Sequence, residues 1–268
     1  MADAIFYSGT KNASSWAMRA WLALQAAGFE FEEQVVDIRR PQRFANLESI
    51  GRFSPPAMVP VLQVGARVIF DSLAIMEFAN DVSDGQLLPR DPLTRAQARS
   101  IVAWQHSGLS NICSRISFES AFYPFKRALT SREAAECDRF FNHLHRILQR
   151  SGRPFLFGPV SLADFALAPA VVRLTRHQID LSRWPKVDDW ARNLLNHPLV
   201  AEWMAEADQL PHIWFDDYLD PAEPLATASR PWVWPPVRPT GRWRRSCSTA
   251  GRNASPPRAC RRCFPRLQ

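Results

Sequence analysis

The stretch Lys11-Asn12-Ala13-Ser14-Ser15-Trp16-Ala17-Met18-Arg19 sets two hydroxyls where a helical period of apolar residues begins. Backbone N–H groups at a helix N-terminus attract an anion and lower the pKa of a thiol placed there. The chain has no cysteine at this point, so a reactive sulfur would have to arrive with a ligand. A neutral hydroxyl could then donate a hydrogen bond to the ligand's thiolate. Ser14 is the first candidate for that donor and Ser15 the second. Asn12 takes the role if the loop is registered differently, and Tyr7 lies too deep in the preceding strand. Against this stands a plainer role, in which Ser14 only caps the helix.

A second constellation follows in Met58–Ser72. Val59–Gln63 and Arg67–Phe70 are β-rich runs flanking Val64-Gly65-Ala66, and this pattern predicts a hairpin. Pro60 cannot join a ladder. A cis Val59-Pro60 bond would accommodate it and leave the Val59 backbone free to pair with an extended ligand. Ser72 stands at the N-cap of a helix carrying Leu73, Ile75, Met76 and Phe78, with Asp71 before it.

The elements that must position these residues follow from periodicity. Ile5-Phe6-Tyr7 reads as a strand and Ser14–Ala27 as a helix stopped by Gly28. Phe29–Val35 reads as a second strand and Phe44–Ile50 as a short helix, before the hairpin and the helix from Ser72 to about Asn80. The order β-α-β-α-β-β-α suits a small mixed sheet with helices on its faces. Asp81–Pro89 is a polar link, and Asp91-Pro92 an N-cap with proline at the first helical position. Only helical periods lie beyond it. Ala96 to about Arg115 is predicted as one helix, and a second opens on the capping box Thr130-Ser131-Arg132-Glu133. A third opens on Ser161-Leu162-Ala163-Asp164, and Trp184–Leu195 and Pro198–Ala207 supply two more. Asp164 can return a hydrogen bond to Ser161, which assigns it to structure rather than to catalysis.

Val59-Pro60-Val61-Leu62, the hairpin and Asp71-Ser72-Leu73-Ala74-Ile75-Met76-Glu77-Phe78 resemble the glutathione-binding half of the cytosolic glutathione transferases. Gly158-Pro159-Val160-Ser161-Leu162-Ala163-Asp164 is similar to the buried helix cap of that family's second domain. Together these resemblances cover residues 1 to roughly 215. They imply a thioredoxin-like domain over 1–80, a linker over 81–92 and an all-α domain over 93–221. Ser14-Ser15-Trp16-x-x-Arg19 resembles the serine-type members, among them the bacterial and zeta-like branches. By that resemblance Val59 pairs with the cysteinyl backbone of glutathione, Asp71 and Ser72 hold its γ-glutamyl end, and Ser14 or Ser15 acts on its thiolate. Asn12 is the alternative donor in a shifted loop, and in the mechanism these residues suggest Arg40 or Arg43 pairs with the glycyl carboxylate. The expected function is transfer of glutathione to a small hydrophobic electrophile by a cytoplasmic homodimer. A zeta-like isomerase or a non-catalytic binding module on the same fold is the alternative. His106 could polarise a substrate carbonyl. No metal site, nucleotide loop or catalytic triad is evident, and no nucleic-acid or membrane partner is expected.

The charge balance has two parts. Of 33 basic residues, ten are arginines after Glu223, where no acid occurs; the remaining 23 face 26 acids, a net of −3. A nucleic-acid reading would therefore rest on the last residues alone. Segment 222–268, rich in Pro, Arg, Trp and Ser, lacks any period and is expected to be disordered. Its abrupt change of composition reads as an out-of-frame extension. Within it, Cys260-Arg-Arg-Cys263 has redox or metal spacing but no second ligand pair. No signal peptide or membrane-length apolar run is visible.

Overall fold

In the computed structural model, which describes residues 4–39 and 42–212, β1 (Ala4–Gly9) runs through the middle of a four-stranded sheet. The strand order is β2-β1-β3-β4. β2 (Glu32–Val36) lies parallel to β1, with Ile5 opposite Glu32 and Gly9 opposite Val36. A parallel partner requires a crossover, and α1 (Ser15–Ala26) supplies it. β3 (Val61–Val64) pairs antiparallel with β1 from Tyr7↔Val61 to Ala4↔Val64. The tight turn to β4 (Arg67–Phe70) places Gly65 at φ 56°, a conformation open to glycine. α2 (Arg43–Gly51) precedes the hairpin and α3 (Ser72–Val82) follows it, as the β-α-β-α-β-β-α order requires.

Two strand boundaries depart from expectation. β2 starts at Glu32 rather than Phe29, because α1 ends in a Schellman-type closure. Phe29 N–H donates to Leu24 O at 3.1 Å across Gly28, whose φ is 64°. Phe29 and Phe31 pack inward instead, edge-on to Phe78 at 5.3 Å and Phe6 at 5.4 Å. β3 starts at Val61 rather than Val59, so Val59 and cis Pro60 stand outside the ladder.

The second half is helical: α4 (Pro92–Gly108), α5 (Ser110–Arg115), a 3₁₀ turn at Glu119–Phe122, α6 (Ser131–Ser151), α7 (Leu162–Arg176), α8 (Pro185–Leu195) and α9 (Pro198–Ala207). The single helix expected over Ala96–Arg115 is broken at Leu109 (φ −86°, ψ 13°), between Gly108 and Ser110. α7 is buried from Leu162 through Leu174 and forms the axis of this half. Both expected capping boxes form, at Thr130/Glu133 and Ser161/Asp164. Glu133 also accepts from both terminal nitrogens of Arg127 at 2.8 Å, so the start of α6 is held from two sides. Thr130→Ala removes one acceptor of that cap and should cost about 1 kcal/mol in chemical denaturation.

The halves meet along α1, which packs on α7, and where α9 reaches the loop before α1. Lys11, almost fully buried, pairs with Glu33 at 3.1 Å and Glu206 at 2.7 Å, beneath the rings of Trp21 and Trp203. The expectations for segment 222–268 and for Cys260-Arg-Arg-Cys263 lie outside the described residues.

Candidate active site

The loop entering α1 is built on one carbonyl. Ala13 and Ser14 N–H both donate to Thr10 O, at 2.8 and 2.9 Å, which sets Ser14 at the helix N-cap. The Ser14 hydroxyl oxygen accepts from Ala17 N–H at 3.2 Å and is 4% exposed. Capping uses only a lone pair, so the hydroxyl proton remains available to donate. Ser14 is also pressed against the strand ends. A Cβ at Gly9 would lie 2.7 Å from Ser14 Cβ, 2.9 Å from its Oγ and 3.0 Å from Val59 Cγ2. Glycine at position 9 therefore permits the hydroxyl and Val59 to sit together. Gly9→Ala should displace Ser14, costing about 1–3 kcal/mol in thermal unfolding, with activity falling further than stability explains.

The three candidates in this loop have separated roles. Ser15 Oγ accepts from Arg173 Nη2 at 3.0 Å and so faces the helical half. Asn12 Nδ2 donates to Leu210 O at 3.4 Å and Pro211 O at 3.0 Å, tying the loop to the end of α9. The Asn12 amide nitrogen is thereby engaged by the chain itself, and the two hydroxyls remain at the helix start.

Asp71, rather than Ser72, is the N-cap of α3, which corrects the sequence-based placement. Its Oδ1 accepts from Leu73 N–H at 2.7 Å, and its backbone sits at φ 63°, ψ 135°. That conformation costs a non-glycine residue about 1–3 kcal/mol and is characteristic of functional sites. The sequence signal missed it because an Asp-Ser pair offers two equally good caps. Ser72 becomes the first helical residue, 2% exposed, and its Oγ accepts from Arg19 Nε at 3.1 Å and Nη2 at 2.6 Å.

Arg19 is the residue that sequence reasoning left without a role. It is fully buried beneath the Trp16 ring, 4.2 Å from its centroid, and donates to Gln105 Oε1 and to His106 Nδ1, the latter at 2.6 Å. Burial lowers its pKa to about 10, with Asp71 and Cys113 opposing the shift. The group is still a cation at neutral pH. One side chain on α1 thus ties the start of α3 to α4. Its sequence signature is the single charged residue of α1.

Val59, Pro60, Asp71, Ser72, Trp16 and His106 line one cavity of about 310 Å³, with Met58 and Phe70 at its rim. That volume falls in the range of small-molecule sites. A larger cavity of about 940 Å³ lies between α4, α6 and residues 153–159. None of the candidate residues reaches it, so size alone does not mark the site. Arg40 lies outside the described residues, while Arg43 opens α2. Among the described residues, no three His, Cys, Asp or Glu side chains come together as a metal would require.

Comparison with known proteins agrees with this geometry. Residues 13–82 match the glutathione S-transferase N-terminal domain and residues 127–206 its C-terminal domain. Maleylacetoacetate isomerase of Rattus norvegicus is 30% identical over 217 residues, covering 78% of this chain and 91% of that protein. The Mus musculus protein of the same name is 29% identical, covering 71% and 87%. Among solved structures, a glutathione transferase homolog from Drosophila mojavensis with bound glutathione superposes with a TM-score of 0.61. It is 20% identical and covers 78% of this chain and 94% of its own.

Proposed function

Because the chain belongs to the glutathione S-transferase family, we propose that the cavity beside Val59 and Asp71 binds glutathione and that Ser14 stabilises its thiolate for attack on a small electrophile. The observation that carries this reading is the meeting of the unladdered Val59 and the Asp71-capped N-terminus of α3 at one cavity, with Trp16 of the first turn of α1, two residues after the N-cap Ser14, on its wall. Val59 offers main-chain groups to an extended peptide. Asp71 and the start of α3 offer a carboxylate and N–H groups to an amino-acid end. Ser14, whose side chain and that of Val59 both close in on Gly9, has a proton to donate and a helix N-terminus behind it.

This chain's residues supply no sulfur to the step. Ser14 holds the charge on the ligand's sulfur, and Trp16, Met58 and Phe70, each at least 39% exposed, form an apolar rim suited to a hydrophobic electrophile. The absence of a cysteine at the start of α1 argues against disulfide exchange by a protein thiol at that position. A homodimer and a cytoplasmic location belong to the same proposal. Exposed Val82 gives α3 apolar surface for a partner copy, and the free thiols of Cys113 and Cys137 suit a reducing compartment.

A second reading is favoured by the names of the relatives, which are maleylacetoacetate isomerases. An isomerase would return the thiol each turnover, whereas a transferase consumes it. Calorimetry with glutathione, followed by thiol accounting over an electrophile and a cis-enone panel, separates the cases. Binding with one thiol lost per product supports the transferase; product at constant thiol supports the isomerase. Binding without product leaves a ligand-carrying module, and no binding overturns the proposal.

A further inference from the structure

His106, on α4, lines the cavity beside Asp71, and its ring orientation is fixed from two sides, by Arg19 and by Trp16. Arg19 carries only donors, so its 2.6 Å contact requires His106 Nδ1 to accept. The neutral ring must then carry its proton on Nε2. Burial and the Arg19 charge lower the pKa of His106 and Asp71 opposes them, the net favouring that neutral form. Trp16 packs edge-on to the ring at 5.4 Å and holds its plane. The Nε2 points toward Asp71 Oδ2 but stops at 3.8 Å, beyond hydrogen-bond length. Among the described residues this N–H has no acceptor, and its ring is 30% exposed. A fixed donor and a carboxylate therefore stand side by side on the cavity lining, close together but not bonded to each other.

A donor and an anion side by side complement a zwitterion. Resting on the glutathione reading, we propose that His106 Nε2–H binds the α-carboxylate of the γ-glutamyl end while Asp71 takes its α-ammonium. The helical half thereby supplies a ligand-binding residue to the site formed by the first half. Ser72, whose oxygen is occupied by Arg19, retains its hydroxyl proton for the same carboxylate. Arg19 acts through both as a positioning residue.

The test is calorimetric titration of wild type, His106→Ala and His106→Gln with three ligands: glutathione, its 4-aminobutanoyl analogue lacking the α-carboxylate, and its glutaryl analogue lacking the α-amino group. His106→Ala should weaken glutathione about tenfold, as loss of a hydrogen bond to a charged group does, and weaken the glutaryl analogue similarly. The aminobutanoyl analogue should bind His106→Ala and wild type alike. His106→Gln, with an amide N–H near the Nε2 position, should recover most of the loss, which a packing defect would not. Equal losses for glutathione and the aminobutanoyl analogue, or no loss at all, would overturn the assignment while leaving the glutathione site standing. Failure of the wild type to bind glutathione would instead overturn the reading beneath it, and this assignment with it.

Discussion

Ser14→Ala is expected to lower kcat/KM by about two orders of magnitude while glutathione affinity changes by no more than a few fold. The magnitude is that of losing one preorganised donor to a developing or resident anion. The split between turnover and binding follows from position. Ser14 lies at the start of α1, whereas the backbone and charge contacts proposed for the rest of the tripeptide come from Val59, Asp71 and Ser72. The same substitution removes the cap on Ala17 N–H and should cost about 1 kcal/mol of stability. That is too little to explain the activity loss, so denaturation and turnover measured on one preparation separate the two roles. Ser15→Ala is the control, because its oxygen is engaged by Arg173 on the opposite side. A larger loss from Ser15 than from Ser14 would exchange their roles.

The largest stability effect is expected at Asp164. Its carboxylate, fully buried, accepts from Leu156 N–H at 3.1 Å, Ser161 N–H at 2.9 Å, Ser161 Oγ at 2.8 Å and Trp190 Nε1 at 2.8 Å. Burial nevertheless raises its pKa, so the site bears a real desolvation cost. Truncation relieves that cost but strands four donors in a dry interior, each at about 1–3 kcal/mol. The donors outnumber the single relieved charge, and Asp164→Ala should lose about 4 kcal/mol or more, a large share of a typical domain's stability. Urea denaturation of the full chain measures it. A loss near 1 kcal/mol would mean that water reaches these donors.

Features set by short-range chemistry were legible in the sequence. The capping boxes at Thr130 and Ser161, the hairpin around Gly65 and the alternation of strand and helix up to α3 each depend on residues within a few positions of one another. Features set across the fold were not legible. The break at Leu109 divides a run whose apolar period is continuous, and Phe29 and Phe31 looked like strand because their partners, Phe78 and Phe6, are distant in sequence. The cap passed from Ser72 to Asp71 because Ser72 is held from below by Arg19, 53 residues away. The site divides along the same line. Val59, Pro60, Asp71 and Ser72 carried a local pattern and meet at one cavity. Arg19 and the exact bearing of His106 emerged only when α1, α3 and α4 were brought together.

The central claim, that a helix N-terminus and the Ser14 hydroxyl keep a borrowed thiol ionised, is tested most directly by titrating the thiolate ultraviolet absorbance of glutathione bound to the wild-type chain. A bound thiol ionising at least one pH unit below the ordinary value of about 8.5 is the predicted result. Ionisation at the value of free glutathione, with the site saturated, would contradict it.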